Sequence, residues 1–438
     1  MQRDLMRKTR RFGLALMAVF ATLGWASPAQ DLFDQASFYL EFYYYGPASA
    51  DLHALTAKYQ KSLDAACANQ KESCPYDTAV GVIQRMVSEL GDGHTYYQSP
   101  EALGRFRQTG RGQVPSGGLR IGVEHRSIPG SRDRLVVDVV EGSPADQAGL
   151  QYGDRIVALN GKALGEYASD DEVAQALSQL VQSGQPVRLT VLRGPQRQKL
   201  EVVVTGREIN LARLPSLKMR PDGVAVLRIP DFLAEGQVGQ RVHELVQQAQ
   251  AAGARAMLLD LRGNSGGSAV EALISMAAFV DNPYVLFTDR YDVERNELVV
   301  QDGRITARDK SGAEVLRLSI PNPARWRGPL AVLVNGESAS GAEYLASAIQ
   351  FAKAGVVVGE PTAGVGNTTT RTFGLINGGG LNISYNRAFL PGGNPYPARV
   401  TPDIAAPDDL RALAETGHDL PTEKALVALL PRTQGGGF

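Results

Sequence analysis

A chain of 438 residues is longer than one ordinary hydrophobic core supports and implies two or three domains. Its 43% hydrophobic content and 47 glycines exclude a disordered chain and describe a globular, loop-rich one. A formal net charge of -1 excludes a sequence-wide basic footprint, so no nucleic-acid partner is expected.

Residues 1–29 read as a secretory signal peptide. Arg3, Arg7, Lys8, Arg10 and Arg11 precede an apolar run from Phe12 to Ala26, and Ser27-Pro28-Ala29 supplies small residues at its exit. Cleavage is expected after Ala29, with Ala26 as the second choice. About 15 apolar residues fall short of the roughly 20 that span a bilayer. The expectation is therefore an exported chain (periplasm, cell envelope or secreted) with no stable membrane insertion after cleavage. In an oxidising compartment Cys67 and Cys74, the two cysteines of the chain, are expected to pair as a structural disulfide. No metal-ligand cluster or phosphate loop stands out, so neither a metal nor an organic cofactor is expected.

Residues 30–112 carry helical periodicity. Leu32, Phe33, Phe38, Leu40 and Tyr43 mark one segment, Leu52, Leu55, Tyr59 and Leu63 a second, and Ala79, Val82, Ile83, Met86, Val87 and Leu90 a third. This helical cap closes with Gly91-Asp92-Gly93-His94-Thr95, whose glycines allow a sharp turn and leave His94 on an exposed loop.

Residues 113–208 are β-rich. They open with Ser116-Gly117-Gly118-Leu119-Arg120-Ile121-Gly122-Val123, continue through a strand from Leu135 to Val140, and close with strands at Val187 to Leu192 and Lys199 to Val204. A helix is expected from Asp171 to Val181. Residues 209–438 alternate strand and helix patterns: Val224 to Ile229, Gly239 to Ala251, then a buried strand from Ala256 into Asp260-Leu261-Arg262-Gly263-Asn264-Ser265-Gly266-Gly267. Alternation of this kind predicts an α/β layer with parallel strands and sites at their carboxyl edge. Asp260 and Arg262 read most simply as an ion pair. Leu330 to Val334 is another apolar strand, followed by Gly336-Glu337-Ser338-Ala339-Ser340-Gly341-Ala342-Glu343 and a helical pattern. Ser340 falls at the mouth of that helix, where unpaired N–H groups favour a developing negative charge. The same placement suits a plain helix cap.

Two resemblances organise these motifs. The run from Gly142 to Gly161, Gly142-Ser143-Pro144-Ala145 through Asn160-Gly161, resembles the PDZ family. The resemblance implies a groove between a strand and a helix into which an extended peptide adds as a strand. Its terminal carboxylate would be held by backbone N–H groups at Gly117, Gly118, Leu119 and Arg120, making polypeptides recognised by their C-termini the expected partners. A spacer role for the module is the alternative.

In order, GDGHT, the PDZ-like module, LLDLRGNSGG, VLVNGESASGAE, VVVGEPTAGVGNT and RVTPDI resemble the S41 peptidases, which comprise carboxyl-terminal processing proteases and tricorn-like enzymes. The resemblance implies a multi-domain α/β protein with a catalytic core of ClpP/crotonase-like type, acting as a serine endopeptidase. Ser340 matches the nucleophile, and the N–H groups of Gly266, Gly267 and Gly341 match the oxyanion hole. Val365 stands where processing proteases carry their lysine base, so a Ser-Lys dyad is excluded at these positions. The tricorn-like branch takes a histidine from an amino-terminal loop, which makes His94 the expected base. Tyr396 falls where that branch carries a glutamate, and Asp92, Glu343, Glu360 and Asp403 remain open as the third group. Two alternatives stand beside the peptidase: an inactive peptide-binding scaffold, and a binder of small apolar ligands on the same fold. The oligomeric state is left open.

Overall fold

Ser27 caps the first helix, α1 (Pro28–Tyr43), by accepting the Gln30 N–H on its hydroxyl at 3.2 Å, and Pro28 occupies the first turn, where no N–H is needed. The computed structural model describes residues 27–110, 118–209 and 213–429, so most of the expected signal segment lies outside it. α1 packs with α2 (Leu52–Cys67) and α3 (Tyr76–Glu89) through Leu32, Leu40, Leu55, Leu63, Ile83 and Met86. Cys67 ends α2, Cys74 precedes α3, and the two are joined by a disulfide.

These helices form a unit made of Met1–Tyr44, Ala48–Pro100 and Thr372–Ile383. The last segment is what the expected 30–112 boundary misses. β1 (Tyr96–Gln98) pairs antiparallel with Gly380, Leu381 and Asn382, and Leu381 and Ile383 enter the helical core. Strand pairing across more than 280 positions leaves no local periodicity to read.

The second unit comprises Tyr45–Pro47, Glu101–Arg371 and Ser384–Phe438. After α4 (Pro100–Gly110) its β-rich part contains β2 (Val123–Ser127), β3 (Arg134–Val139), α5 (Pro144–Gln147), β4 (Arg155–Leu159), β5 (Lys162–Ala163), α6 (Asp170–Gln182), β6 (Pro186–Arg193) and β7 (Gln198–Thr205). The strands run antiparallel in the order β2-β3-β4-β6-β7, with β5 on β4, so β2 is an edge. Ile121, Val136, Ile156, Val173, Leu177 and Leu189 fill the core between sheet and α6.

The α/β part follows with β8 (Ser216–Met219), β9 (Val224–Arg228), α7 (Val238–Ala251), β10 (Ala256–Asp260) and α8 (Ala269–Ala277). An antiparallel meander, β11 (Tyr284–Asp289), β12 (Arg295–Gln301), β13 (Arg304–Arg308) and β14 (Glu314–Ser319), interrupts the alternation, which the expectation of alternating strands and helices did not include. The chain continues through β15 (Leu330–Val334), α9 (Gly341–Phe351), β16 (Val356–Gly359), β17 (Thr368–Gly374), β18 (Gly380–Phe389), β19 (Ile404–Ala405), α10 (Leu410–Thr416) and α11 (Leu420–Leu429). The sheet order is β19-β16-β15-β10-β9-β8, parallel except at β8. β10 and β15 are buried along their whole length because helices cover both faces, which is why they read as unbroken apolar runs. β10, β15 and β16 end at Asp260, Val334 and Gly359, so the loops after them gather at one carboxyl edge.

Candidate active site

Ser340 opens α9 in a conformation that side chains rarely take, with φ 52° and ψ -112°. The loop before it is tied down on one side by the loop after β10: the Ala339 N–H reaches Asn264 O at 2.8 Å, and the Ser338 hydroxyl donates to Leu261 O at 2.9 Å. On the other side it is tied to the loop after β16, where the Ala363 N–H reaches Ser338 O at 3.0 Å. Positive φ costs on the order of 1 kcal/mol or more for a non-glycine residue and persists only where surroundings over-determine it. These flanking bonds supply that determination.

Glu343, one turn into α9, is fully buried and accepts four hydrogen bonds. They come from Ser340 N at 2.9 Å, Thr362 Oγ1 at 2.5 Å, Gly364 N at 2.8 Å and Val365 N at 3.0 Å. Burial pushes its carboxyl up from the ordinary value, and the four donors pull it back. Glu343, at the third helical position, accepts the Ser340 N–H as the acidic member of a capping box does.

Gly266 lies directly under the serine: a Cβ built there would sit 2.6 Å from Ser340 Cβ and 3.0 Å from Gly341 N, and φ is +93°. Its N–H, however, donates to Asn264 Oδ1 at 2.8 Å. The expectation that Gly266 offers this donor to an oxyanion is thereby corrected; it contributes the missing side chain instead. Gly267 is exposed, with φ +140°, and a Cβ there would meet Phe232 C at 2.4 Å. Gly341 N lies at the helix start. Asn264 was not singled out from the sequence, although it sits inside the LRGNSGG run; it is fully buried, and its Nδ2 holds Ile229 O at 2.9 Å.

The remaining carboxylates sort by their partners. Asp403 accepts Gln350 Nε2 and Val357 N, each at 2.8 Å, and Glu360 Oε1 accepts Asp408 N at 3.1 Å. Tyr396 is buried, edge-on to Tyr344 at 5.3 Å, with its hydroxyl on Tyr284 O at 3.0 Å. Asp260 pairs with Arg262 at 2.9 Å, and Arg262 reaches Asp419 at 2.9 Å. Lys353 lies past the end of α9 and is exposed.

His94 belongs to the first unit. There Asp92 accepts the His94 N–H at 3.0 Å and the Thr95 hydroxyl at 2.8 Å, while Asn382 Nδ2 donates to His94 O at 3.1 Å. The residue is thus half-buried in a fastened turn just before β1, a correction to the exposed loop expected from its glycines. Burial lowers the imidazole from the ordinary histidine value, and the Asp92 charge acts in the opposite direction.

In the PDZ-like part Gly117 lies outside the described residues. The Leu119 N–H donates to Gln182 Oε1 at 3.0 Å and the Arg120 N–H to Arg207 O at 2.8 Å. Neither donor is open for a ligand in this conformation, unlike the expectation for this loop.

Residues 223–406 match the family model described as Peptidase family S41, and residues 135–193 match that of the PDZ domain. Carboxyl-terminal-processing peptidase 2 of the Arabidopsis thaliana chloroplast is 27% identical over 331 residues, 74% of this chain and 60% of that protein. The carboxyl-terminal-processing protease of a Synechocystis species is 25% identical over 327 residues, 70% of this chain and 66% of the relative. This chain thus spans about 60% to 66% of the length of these relatives. Among solved structures, an S41 protease from Bacteroides fragilis shares the fold with a TM-score of 0.56 at 17% identity, covering 90% of this chain and 96% of that one. Mature CPAF complexed with lactacystin gives a TM-score of 0.50 at 14% identity over 91% of this chain and 98% of that one. Residues 223–406 are thus similar to peptidase family S41, and residues 135–193, ahead of them, to the PDZ domain.

Proposed function

We propose that this protein is an exported serine endopeptidase acting on polypeptides, with Ser340 as nucleophile. The observation that carries the reading is the over-determined, positive-φ Ser340 at the helix mouth, packed on side-chain-free Gly266. A helix cap alone needs neither the strain nor the glycine. The N–H groups of Gly341 and Gly267 are the donors assigned to the tetrahedral oxyanion, each worth about 3 to 4 kcal/mol in related acyl transfer. His94 is assigned as the base that takes the serine proton and returns it to the leaving amine. Asp92, in the same turn, favours the imidazolium by its charge. Support for peptidase chemistry also comes from the relatives, which are named as processing proteases. The PDZ domain supports polypeptide substrates presented by their carboxyl termini.

A second reading, a peptide-binding scaffold without chemistry, draws on Val365, whose side chain cannot accept a proton, and on Glu343, whose two oxygens are taken up by four donors. A fluorophosphonate probe separates the two. Labelling of the wild type, absent in Ser340→Ala, together with loss of peptide cleavage in folded His94→Ala, is the expected result. Labelling that survives in Ser340→Ala removes the nucleophile; cleavage that survives in His94→Ala removes the base; no labelling or cleavage by wild type leaves the scaffold.

A further inference from the structure

β2 is the open edge of the PDZ sheet, and between it and α6 runs a groove of about 530 Å³ lined by Leu119, Ile121 and Val123 on one side and Ala174, Leu177 and Val181 on the other. Its apolar walls suit alternate side chains of an added strand. The end that would receive a carboxylate is already furnished. The Leu119 N–H donates to Gln182 Oε1 at 3.0 Å, and Gln182 Nε2 donates to Leu119 O at 2.8 Å. The side-chain amide therefore pairs with Leu119 as a neighbouring strand would, and its carbonyl oxygen stands where a ligand carboxylate oxygen would accept.

The chain is shaped to admit this contact. Gly118 has φ +95°, and a Cβ there would lie 2.3 Å from Gln182 Oε1. The Arg120 N–H is committed to Arg207 O at 2.8 Å, so the next residue offers no substitute donor. Gln182 is exposed, is the last residue of α6, and among the described residues its amide bonds only to Leu119. A long side chain on the final turn of a helix, held by two solvent-facing bonds, can leave without disturbing the fold.

We infer that Gln182 is a built-in competitor for the carboxylate of an incoming peptide and so sets how tightly the PDZ groove binds free carboxyl termini. The inference rests on the reading that this groove receives such termini. A ligand must displace the amide before it can use the Leu119 N–H, and its apparent affinity is reduced by the fraction of molecules in which the amide is seated. Two exposed hydrogen bonds correspond to an effect on the order of three- to thirtyfold.

The test uses the full chain carrying Ser340→Ala, so that bound peptide is not cleaved, and a fluorescent peptide ending in an apolar residue, as the free acid and as the amide. Gln182→Ala is expected to bind the free acid three- to thirtyfold more tightly and the amidated peptide unchanged. Gln182→Glu, which brings a negative charge to the same place, is expected to bind the free acid more weakly than Gln182 does. Equal or weaker binding of the free acid by Gln182→Ala overturns the competitor role. If the Gln182 protein and both variants all fail to prefer the free acid over the amide, the groove reading itself falls.

Discussion

Glu343 holds the backbone N–H of Ser340 at 2.9 Å, and the same carboxylate reaches the hydroxyl of Thr362 and the N–H groups of Gly364 and Val365. One side chain in the first turn of α9 thus sets the backbone of the serine and the loop after β16 together. Removing it leaves four donors without this acceptor, and the two buried ones, Thr362 Oγ1 and Val365 N, cost about 1 to 3 kcal/mol each if unrelieved. Glu343→Ala is expected to lower the unfolding temperature and to reduce peptide cleavage by about a hundredfold or more. Glu343→Gln keeps the shape but turns an NH2 toward donors, and is expected to fall between. Thermal melts and cleavage rates check both. Wild-type cleavage in the alanine variant would mean the serine loop is held by other bonds.

With His94 as base, cleavage needs the neutral ring. Burial lowers its pKa, so the neutral form persists to lower pH than for a free histidine, near 6.5. The pH profile of kcat/KM is expected to rise through an apparent pKa below about 6.5 and to stay level above it. The stability contribution has a matching sign. A histidine with a depressed pKa favours folding above its unfolded value, and that contribution fades as pH drops toward the folded value. A limb centred well above 7 would point to an amine base instead.

Arg126, on the groove-lining strand β2, pairs with Glu337, three residues ahead of Ser340. Both side chains are substantially exposed, 32% and 48%, so the pair is worth no more than about 1 kcal/mol of stability. Arg126→Ala and Glu337→Ala are expected to leave the melting temperature nearly unchanged while altering cleavage several-fold. In a double-mutant cycle the two effects on kcat/KM are expected to be non-additive, and less so at high salt. Strict additivity would remove the link between groove strand and serine loop.

The start of α1 bears on processing. Ala29 is fully buried, with its N–H on Cys74 O at 3.0 Å, and Ser27 caps the helix. Cleavage after Ala29 would remove the cap, the first-turn proline and this buried contact. Exported protein is therefore expected to begin at Ser27, the second choice from sequence, and intact-mass measurement decides it. Ser27→Ala is expected to cost about 1 kcal/mol. A mature chain beginning at Gln30 would refute the assignment.

Much of this architecture is legible in the residues alone. Helical periodicity in the first unit, the apolar runs of β10 and β15, and the strand-turn-helix around Ser340 are local patterns, repeated every two or three to four residues. Val365 in place of a lysine is equally a matter of one letter at one position. The resemblance carried by several motifs in order then pointed to the S41 peptidases and to Ser340 as the proposed nucleophile.

The folded chain decided which donors are spoken for. Gly266 and Leu119 each carry an N–H that motif matching treats as open, yet Asn264 takes one and Gln182 the other. It also decided that residues 372–383 belong with the helices near the amino terminus, and that Glu343 is a brace with all its acceptor capacity used. A residue pattern records which groups tend to be buried and at what period. It does not record which acceptor, often tens or hundreds of positions away, arrives first at a given N–H, because that depends on where the backbone brings each pair together.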